Sequence, residues 1–212
     1  MVFHGRATGP EVGTPAGPDD SDPLRSYLRG RRRFRPSSRE MDVVYDLPEF
    51  DTLSHGTELA LEMAAEAPIR PGGQLLVWNP GQGHLPAVLA DLARGSRPAP
   101  GGRLALAGRD LLALRISARN AASASPRCAH VWDPAALPGT YSLMCLFPDD
   151  EPHVRWEEYL PDFALERLEH DSYAIVSASA TFVGRMLRHA AGLELRRSRK
   201  KDGVRCVLLR KP

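Results

Sequence analysis

The chain has 212 residues, of which 42% are apolar, and its formal net charge is +2. That is enough apolar material to bury one substantial core, so a single domain with tails is expected. No apolar run approaches the ~20 residues that span a bilayer, and "MVFHGRATGPEVG" lacks the apolar centre of a secretory signal, so a soluble, intracellular, cytoplasmic protein is expected.

Met1 to Asp22 is rich in Gly, Pro and acids without periodicity, and reads as disordered or loosely draped. The next segment, Leu24 to Arg39, "LRSYLRGRRRFRPSSR", carries seven arginines and no acid, with Tyr27 and Phe34 interleaved. Residues 1–40 are therefore expected to be a disordered or extended tail with a basic segment at 24–39, and residues 41–212 the folded domain. "MDVVYDLP" reads as a short strand, and "DTLSHGTELALEMAAEA" as a helix that Ser54 or Thr57 can cap, with Glu58 and Glu62 in its N-terminal half. Beyond Pro71 strands and helices alternate. "GQLLVW", "GRLALAG", "CAHVW", "TYSLMCLF" and "SYAIVSAS" read as strands; "HLPAVLADLARG", "DLLALRISARNAAS", "VRWEEYLPDFALERLEH" and "TFVGRMLRHAAG" read as helices. This pattern requires crossovers and a mostly parallel sheet with helices on both faces. The end, "LELRRSRKKDGVRCVLLRK", reads as two strands joined at "KDG", an antiparallel hairpin closing the sheet.

This order of elements resembles the class I S-adenosylmethionine-dependent methyltransferases, an α/β, Rossmann-like fold. "FDTLSHGTELALE" is similar to the segment that precedes the cofactor fold in the branch containing the bacterial rRNA guanine-N2 methyltransferases. The resemblance covers Phe50 to the C-terminus and implies S-adenosylmethionine as cofactor and RNA as substrate. It also implies four polar motifs. At the first, "LLVWNPGQGHL", the family has an acid where this chain has Val77 and a glycine where it has Asn79; Gly81 and Gly83 are kept, and Pro80 removes one backbone donor. At the second, Gly108 stands where an acid should receive the ribose hydroxyls, and Asp110, two residues on, is either a substitute or a helix N-cap. The helix ending "ARN", Ala118 to Asn120, matches. At the third, Asp133 matches an acid that meets the adenine amino group, and serves equally as a turn acid before Pro134. At the fourth, where the family has Asn-Pro-Pro-aromatic, Pro148 matches but Phe147 replaces the Asn and Asp149 the second Pro; Asp149 or Asp150 is left as acceptor for a target amine.

Fold-building residues are thus kept while Val77, Gly108 and Phe147 replace three polar groups. The expectation is a degenerate, non-catalytic methyltransferase-like domain, whose remnant cofactor positions are Asn79, Gly81, Gly83, Asp110 and Asp133, with Phe147, Pro148 and Asp149 at the reaction position. It is expected to bind RNA or a ribonucleoprotein through Arg29, Arg31, Arg32, Arg33 and Arg35 and through Arg199, Lys200 and Lys201. The alternatives are an active methyltransferase using Asp110, Asp133 and Asp149, and a protein-interaction subunit of a larger assembly. The seven histidines (His4, His55, His84, His130, His153, His170 and His189) form no metal-ligand spacing, so no metal is expected. Cys128, Cys145 and Cys206 fit neither a disulfide framework nor a zinc knuckle, and read as reduced core thiols. Trp78, Trp132 and Trp156 read as core packing, filling of a vacated pocket, or stacking platforms over the cleft.

Overall fold

A computed structural model describes residues 22–34, 39–94, 103–149 and 154–212. Two strands, β1 (Leu28–Phe34) and β2 (Arg39–Val44), pair with each other antiparallel. The remainder alternates as expected: α1 (His55–Glu66), β3 (Leu75–Trp78), α2 (His84–Arg94), β4 (Leu104–Gly108), α3 (Leu111–Asn120), β5 (Arg127–His130), β6 (Tyr141–Leu146), α4 (Trp156–Arg167), β7 (Leu168–Ser179), α5 (Ala180–His189), β8 (Glu194–Lys201) and β9 (Val204–Lys211). The last seven strands form one sheet in the order β5-β4-β3-β6-β7-β9-β8. Strands β3 to β7 are parallel, and β9 inserts antiparallel between β7 and β8.

Because side chains alternate along a strand, each buried strand feeds two cores. Leu75, Val77, Leu104, Leu106, Cys145 and Cys206 pack with α1, α2 and α3; Leu76, Trp78, Ala107, Met144, Leu146 and Val207 pack with α4 and α5. The sheet therefore has helices on both faces, and near-continuous apolar strands follow from burial on both sides. At the "KDG" turn Asp202 and Gly203 both take positive φ, 44° and 81°, as a tight hairpin turn demands. All three cysteines are free and buried, and burial pushes the Cys128 thiol up to about 11 and that of Cys206 to about 12, which makes them inert core groups.

Two expectations change. First, "LEH" at the end of the α4 reading belongs to β7, which begins at Leu168 with a bulge before Tyr173. Second, the basic segment is not a tail: β1 holds Arg29, Arg31, Arg32 and Arg33 in strand pairing with β2, so a domain boundary at residue 40 would cut through β2 and part β1 from its partner. A two-stranded sheet is marginal by itself, and this one is held by packing. Phe34, Met41 and Val43 close on Ala87 of α2, while Val44 and Leu47 close on Ala113 and Ile116 of α3. Arg35 and the segment 1–21 lie outside the described residues.

The C-terminal basic run is also folded into the domain. Lys201, Arg199 and Arg197, at every second position of β8, meet Glu58, Glu62 and Glu66, at every fourth position of α1. Lys201 lies 2.7 Å from Glu58, Arg199 lies 3.3 Å from Glu62 and 3.1 Å from Glu66, and Arg197 lies 2.9 Å from Glu66. The spacings agree because four helical residues rise about 6 Å and two strand residues about 6.7 Å.

Candidate functional site

The C-terminal ends of β3, β4, β5 and β6 gather at one edge of the parallel sheet, where open α/β sheets receive ligands. A cleft of about 470 Å³ lies there, walled by Leu47 and Pro48 beyond the N-terminal hairpin, by the turns after β3 and β4, by Trp132, and by Phe147, Pro148 and Asp149.

The turn after β3 keeps its shape. Gly81 and Gly83 take positive φ, 57° and 89°, and a Cβ on Gly83 would sit 2.7 Å from Ser117 Cα, so only glycine lets the start of α2 approach α3 this closely. Its polar groups point elsewhere. Val77, at the acid position, is fully buried against α1 to α3. Asn79 takes the left-handed conformation of a glycine, φ 54°, which asparagine tolerates. Its Nδ2 donates to the Phe147 carbonyl at 2.9 Å and to Asp149 Oδ2 at 2.8 Å.

Gly108 and Asn79 are complementary. A Cβ on Gly108 would lie 2.7 Å from Asn79 Oδ1, so the space that an acid at 108 would need is filled by the side chain at 79. Next to it, the Arg109 guanidinium bonds Asp149 and lies 5.9 Å from the ring centres of both Trp132 and Trp156. Arg109 and Asn79 thus meet on one carboxylate, and the ends of β3, β4 and β6 are tied together through side chains. Trp132 is 69% exposed over this cluster, whereas Trp78 and Trp156 are buried core residues 6.3 Å apart.

The other acids act locally. Asp110 caps α3, accepting from Ala113 N at 3.0 Å. Asp133 caps the short turn Pro134–Ala136, accepting from Ala135 N at 2.8 Å, and also accepts from the Tyr159 hydroxyl at 3.1 Å; burial first, and the Asp133 charge second, push that phenol well up. Asp150 lies outside the described residues.

Sequence reasoning missed a pair of buried amides beneath the cleft. The Gln82 side chain accepts from Val44 N at 3.2 Å and donates to Val44 O at 3.0 Å; Asn120 accepts from Asp42 N at 3.0 Å and donates to Asp42 O and Gln82 O, both at 2.8 Å. These side chains pair with β2 as a neighbouring strand would, fixing the hairpin to the glycine turn. His84 adds a third tie, with Nε2 3.2 Å from Glu49 O and its ring edge-on to Phe34 at 4.3 Å. A glutamine inside the glycine loop and the "ARN" helix ending were the signals for this contact.

The arginines expected to meet RNA find acids within the fold. Arg31 pairs with Asp42 at 2.8 Å, Arg33 with Glu40 at 3.0 Å, and Arg29 and Arg32 with Asp51, both at 3.4 Å; Arg29 also covers the Phe50 ring at 3.9 Å. Arg199 and Lys201 face the α1 glutamates, and Lys200 points to the opposite face of β8. Among the described residues no group of three or more His, Cys, Asp or Glu could hold a metal ion, and no helix is long and apolar enough to cross a membrane.

No protein-family model matches the sequence, and no curated protein does. Solved structures do. The 16S rRNA N2 methyltransferase RsmC of Thermus thermophilus, determined with AdoMet and guanosine, superposes with a TM-score of 0.64 at 14% identity over 92% of this chain and 53% of its own. The putative methyltransferase yhhF of Escherichia coli gives 0.60 at 17% identity, over 86% and 98% of the two chains. The ribosomal protein L11 methylase of Lactobacillus delbrueckii gives 0.56 at 15% identity, over 74% and 79%. The fold is that of the class I methyltransferases. At these identities the likeness establishes the methyltransferase-like architecture, with its mostly parallel sheet and terminal hairpin, and this chain spans about half the length of the rRNA enzyme.

Proposed function

We propose that this methyltransferase-like domain binds RNA or a ribonucleoprotein without transferring a methyl group. The observation that carries the non-catalytic part is the tie between Asn79, Asp149 and Arg109. The side chains that line the cleft at the positions of three family motifs bond one another, and the space beside Gly108 is taken by Asn79. The groups present do not fit S-adenosylmethionine as the family holds it. There is no carboxylate at 77 or 108, and the Arg109 guanidinium adds a positive charge to the lining of the cleft that a cationic cofactor would have to enter. The active reading has to recruit Asp110, Asp133 and Asp149, and each already has a local partner. Support for RNA comes from the likeness to solved methyltransferase structures, one of them an rRNA methyltransferase, together with the cations of the C-terminal hairpin that are not paired on its α1 face.

Calorimetry with S-adenosylmethionine tests the first half. Two missing charge-assisted hydrogen bonds, at about 1.5–3 kcal/mol each, lower affinity by two or more orders of magnitude. No saturable binding is expected below about 10 µM, and a dissociation constant under that value, about −7 kcal/mol, overturns the reading.

A further inference from the structure

We infer that RNA phosphates dock on the α5 face of the C-terminal hairpin, on Arg188, Lys200 and Arg205, and not on the arginine-rich N-terminal hairpin; this deepens the RNA-binding reading above and rests on it. The two faces of the β8–β9 hairpin differ in how their charge is met. On the α1 face every cation of the row Arg197, Arg199, Lys201 has a glutamate. On the other face, among the described residues, no carboxylate lies within salt-bridge distance of Lys200, Arg205 or Arg188. The nearby acids are already engaged. Glu194 is shared by Arg196 and Arg210, Glu157 pairs with Arg185, Glu158 lies near His189 and bonds Arg155, and Asp202 is 3.1 Å from His55.

The placement of these three cations follows from register. Lys200 and Arg205 are direct cross-strand partners, so their side chains leave the same face of the sheet next to one another. Like charges in that arrangement oppose folding, and a bridging phosphate converts the repulsion into two charge-assisted contacts. Arg205 is oriented by its Nε, which donates to Ser198 Oγ at 2.8 Å. Arg205 also stands opposite Ala178 of β7, one residue before Ser179, the N-cap of α5. On α5, Arg185 and His189 lean toward the glutamates of α4, while Phe182, Val183 and Met186 are buried against the sheet; Gly184 and Arg188 are thereby left on the outer side of the helix, where Arg188 Nη1 donates to Gly184 O at 3.5 Å. A Cβ at Gly184 would meet nothing within 4 Å, so open ground lies beside Arg188. Helix α5 carries no acid of its own. A strand of alternating phosphates fits this strip by charge, and flexible single-stranded RNA fits it better than a rigid duplex, because the cations sit on a flat sheet face and a helix flank without a groove-reading element.

The test is fluorescence anisotropy with a labelled single-stranded RNA of about 15 nucleotides in graded salt, using the full chain. Three contacts to a single strand contribute a slope of about −2 in log affinity against log salt. The triple variant Arg188→Ala, Lys200→Ala, Arg205→Ala is expected to flatten the slope by that amount and to weaken binding at low salt by at least about tenfold, while Arg31→Ala with Arg33→Ala leaves both nearly as they were. All three substituted side chains are at the surface, and circular dichroism verifies that each variant folds; should the triple variant fail to fold, Lys200→Gln with Arg205→Gln replaces it with the same expectation at smaller amplitude. If the triple variant binds as tightly as the parent, or if loss follows Arg31 and Arg33 instead, the inference is overturned while the RNA-binding reading stands. If the parent itself shows no salt-dependent binding, that reading falls and this inference with it.

Discussion

Asn79 and Gly108 behave as one unit although 29 positions separate them. The family pattern places a small residue first and an acid second; this chain places the side chain first and the gap second, so the volume is exchanged across the β3–β4 pair. Gly108→Ala puts a Cβ 2.7 Å from Asn79 Oδ1 and is expected to cost about 1–3 kcal/mol as overpacking. Adding Asn79→Gly relieves the clash, so the double variant is expected to lose less than the two single losses combined, a coupling that a denaturation cycle measures. His84 supplies a second residue-scale prediction. Burial holds its pKa below the ordinary value, with the Glu49 charge and carbonyl opposing. A depressed folded-state pKa adds stability that is full above the unfolded value, near 6.5, and is lost as pH falls below it toward the folded one. Thermal melts are therefore expected to drop as pH falls below about 6.5, and the drop should shrink in His84→Gln, which keeps an amide donor but does not titrate. An unchanged acid limb in that variant rules His84 out as its source.

At the scale of elements, the N-terminal hairpin is a docked unit, held by apolar packing on α2 and α3 and by two buried amides. Replacing Gln82 by Ala leaves Val44 N–H and two carbonyls without partners under a buried contact. A cost of about 2–4 kcal/mol is expected, together with faster hydrogen exchange at Asp42 and Val44 while the main sheet stays protected. The α1–β8 ladder is exposed, so Arg199→Ala should cost no more than about 1 kcal/mol and less at high salt; a loss that salt leaves unchanged would point to packing of the arginine stem instead. These elements also show what a sequence can carry. The apolar strands, the Ser54 cap of α1, the Asp110 cap of α3 and the Asp-Gly turn were legible because each is decided within a few residues. The strand within "LRSYLRGRRRF" was not, since its outward arginines hide the alternation and its inward Phe34 finds its partners, Ala87 and His84, some fifty residues away. The site divided the same way. The vacant positions Val77, Gly108 and Phe147 could be read in place, but the bond between Asn79 and Asp149 joins two strand ends 70 residues apart and exists only in three dimensions.

For the whole molecule the question is which charges are spent on the fold and which remain for a partner. A net charge of +2 with cations gathered at both ends suggests two RNA-binding arms. The folded chain uses most of those cations internally, and what sequence order groups together register separates: Lys200 stands between Arg199 and Lys201, yet faces the opposite side of the sheet. Substituting Arg31, Arg32 and Arg33 together by Ala distinguishes an arm from a structural hairpin. If the segment were a solvated arm, melting would be unaffected and RNA affinity would fall steeply. In the hairpin, three exposed pairs with Asp42, Asp51 and Glu40 are lost, each contributing roughly 0.2–1 kcal/mol. The expected outcome is a stability loss of about 1–2 kcal/mol, read by urea denaturation at low salt and reduced at high salt, with RNA affinity changed by less than about threefold, because guanidinium groups held by carboxylates release few counterions from RNA. An unchanged midpoint with a large loss of RNA binding would return these arginines to the role of an arm, and would place the RNA on the cleft side of the molecule, beside Leu47 and Pro48, instead of on the α5 face.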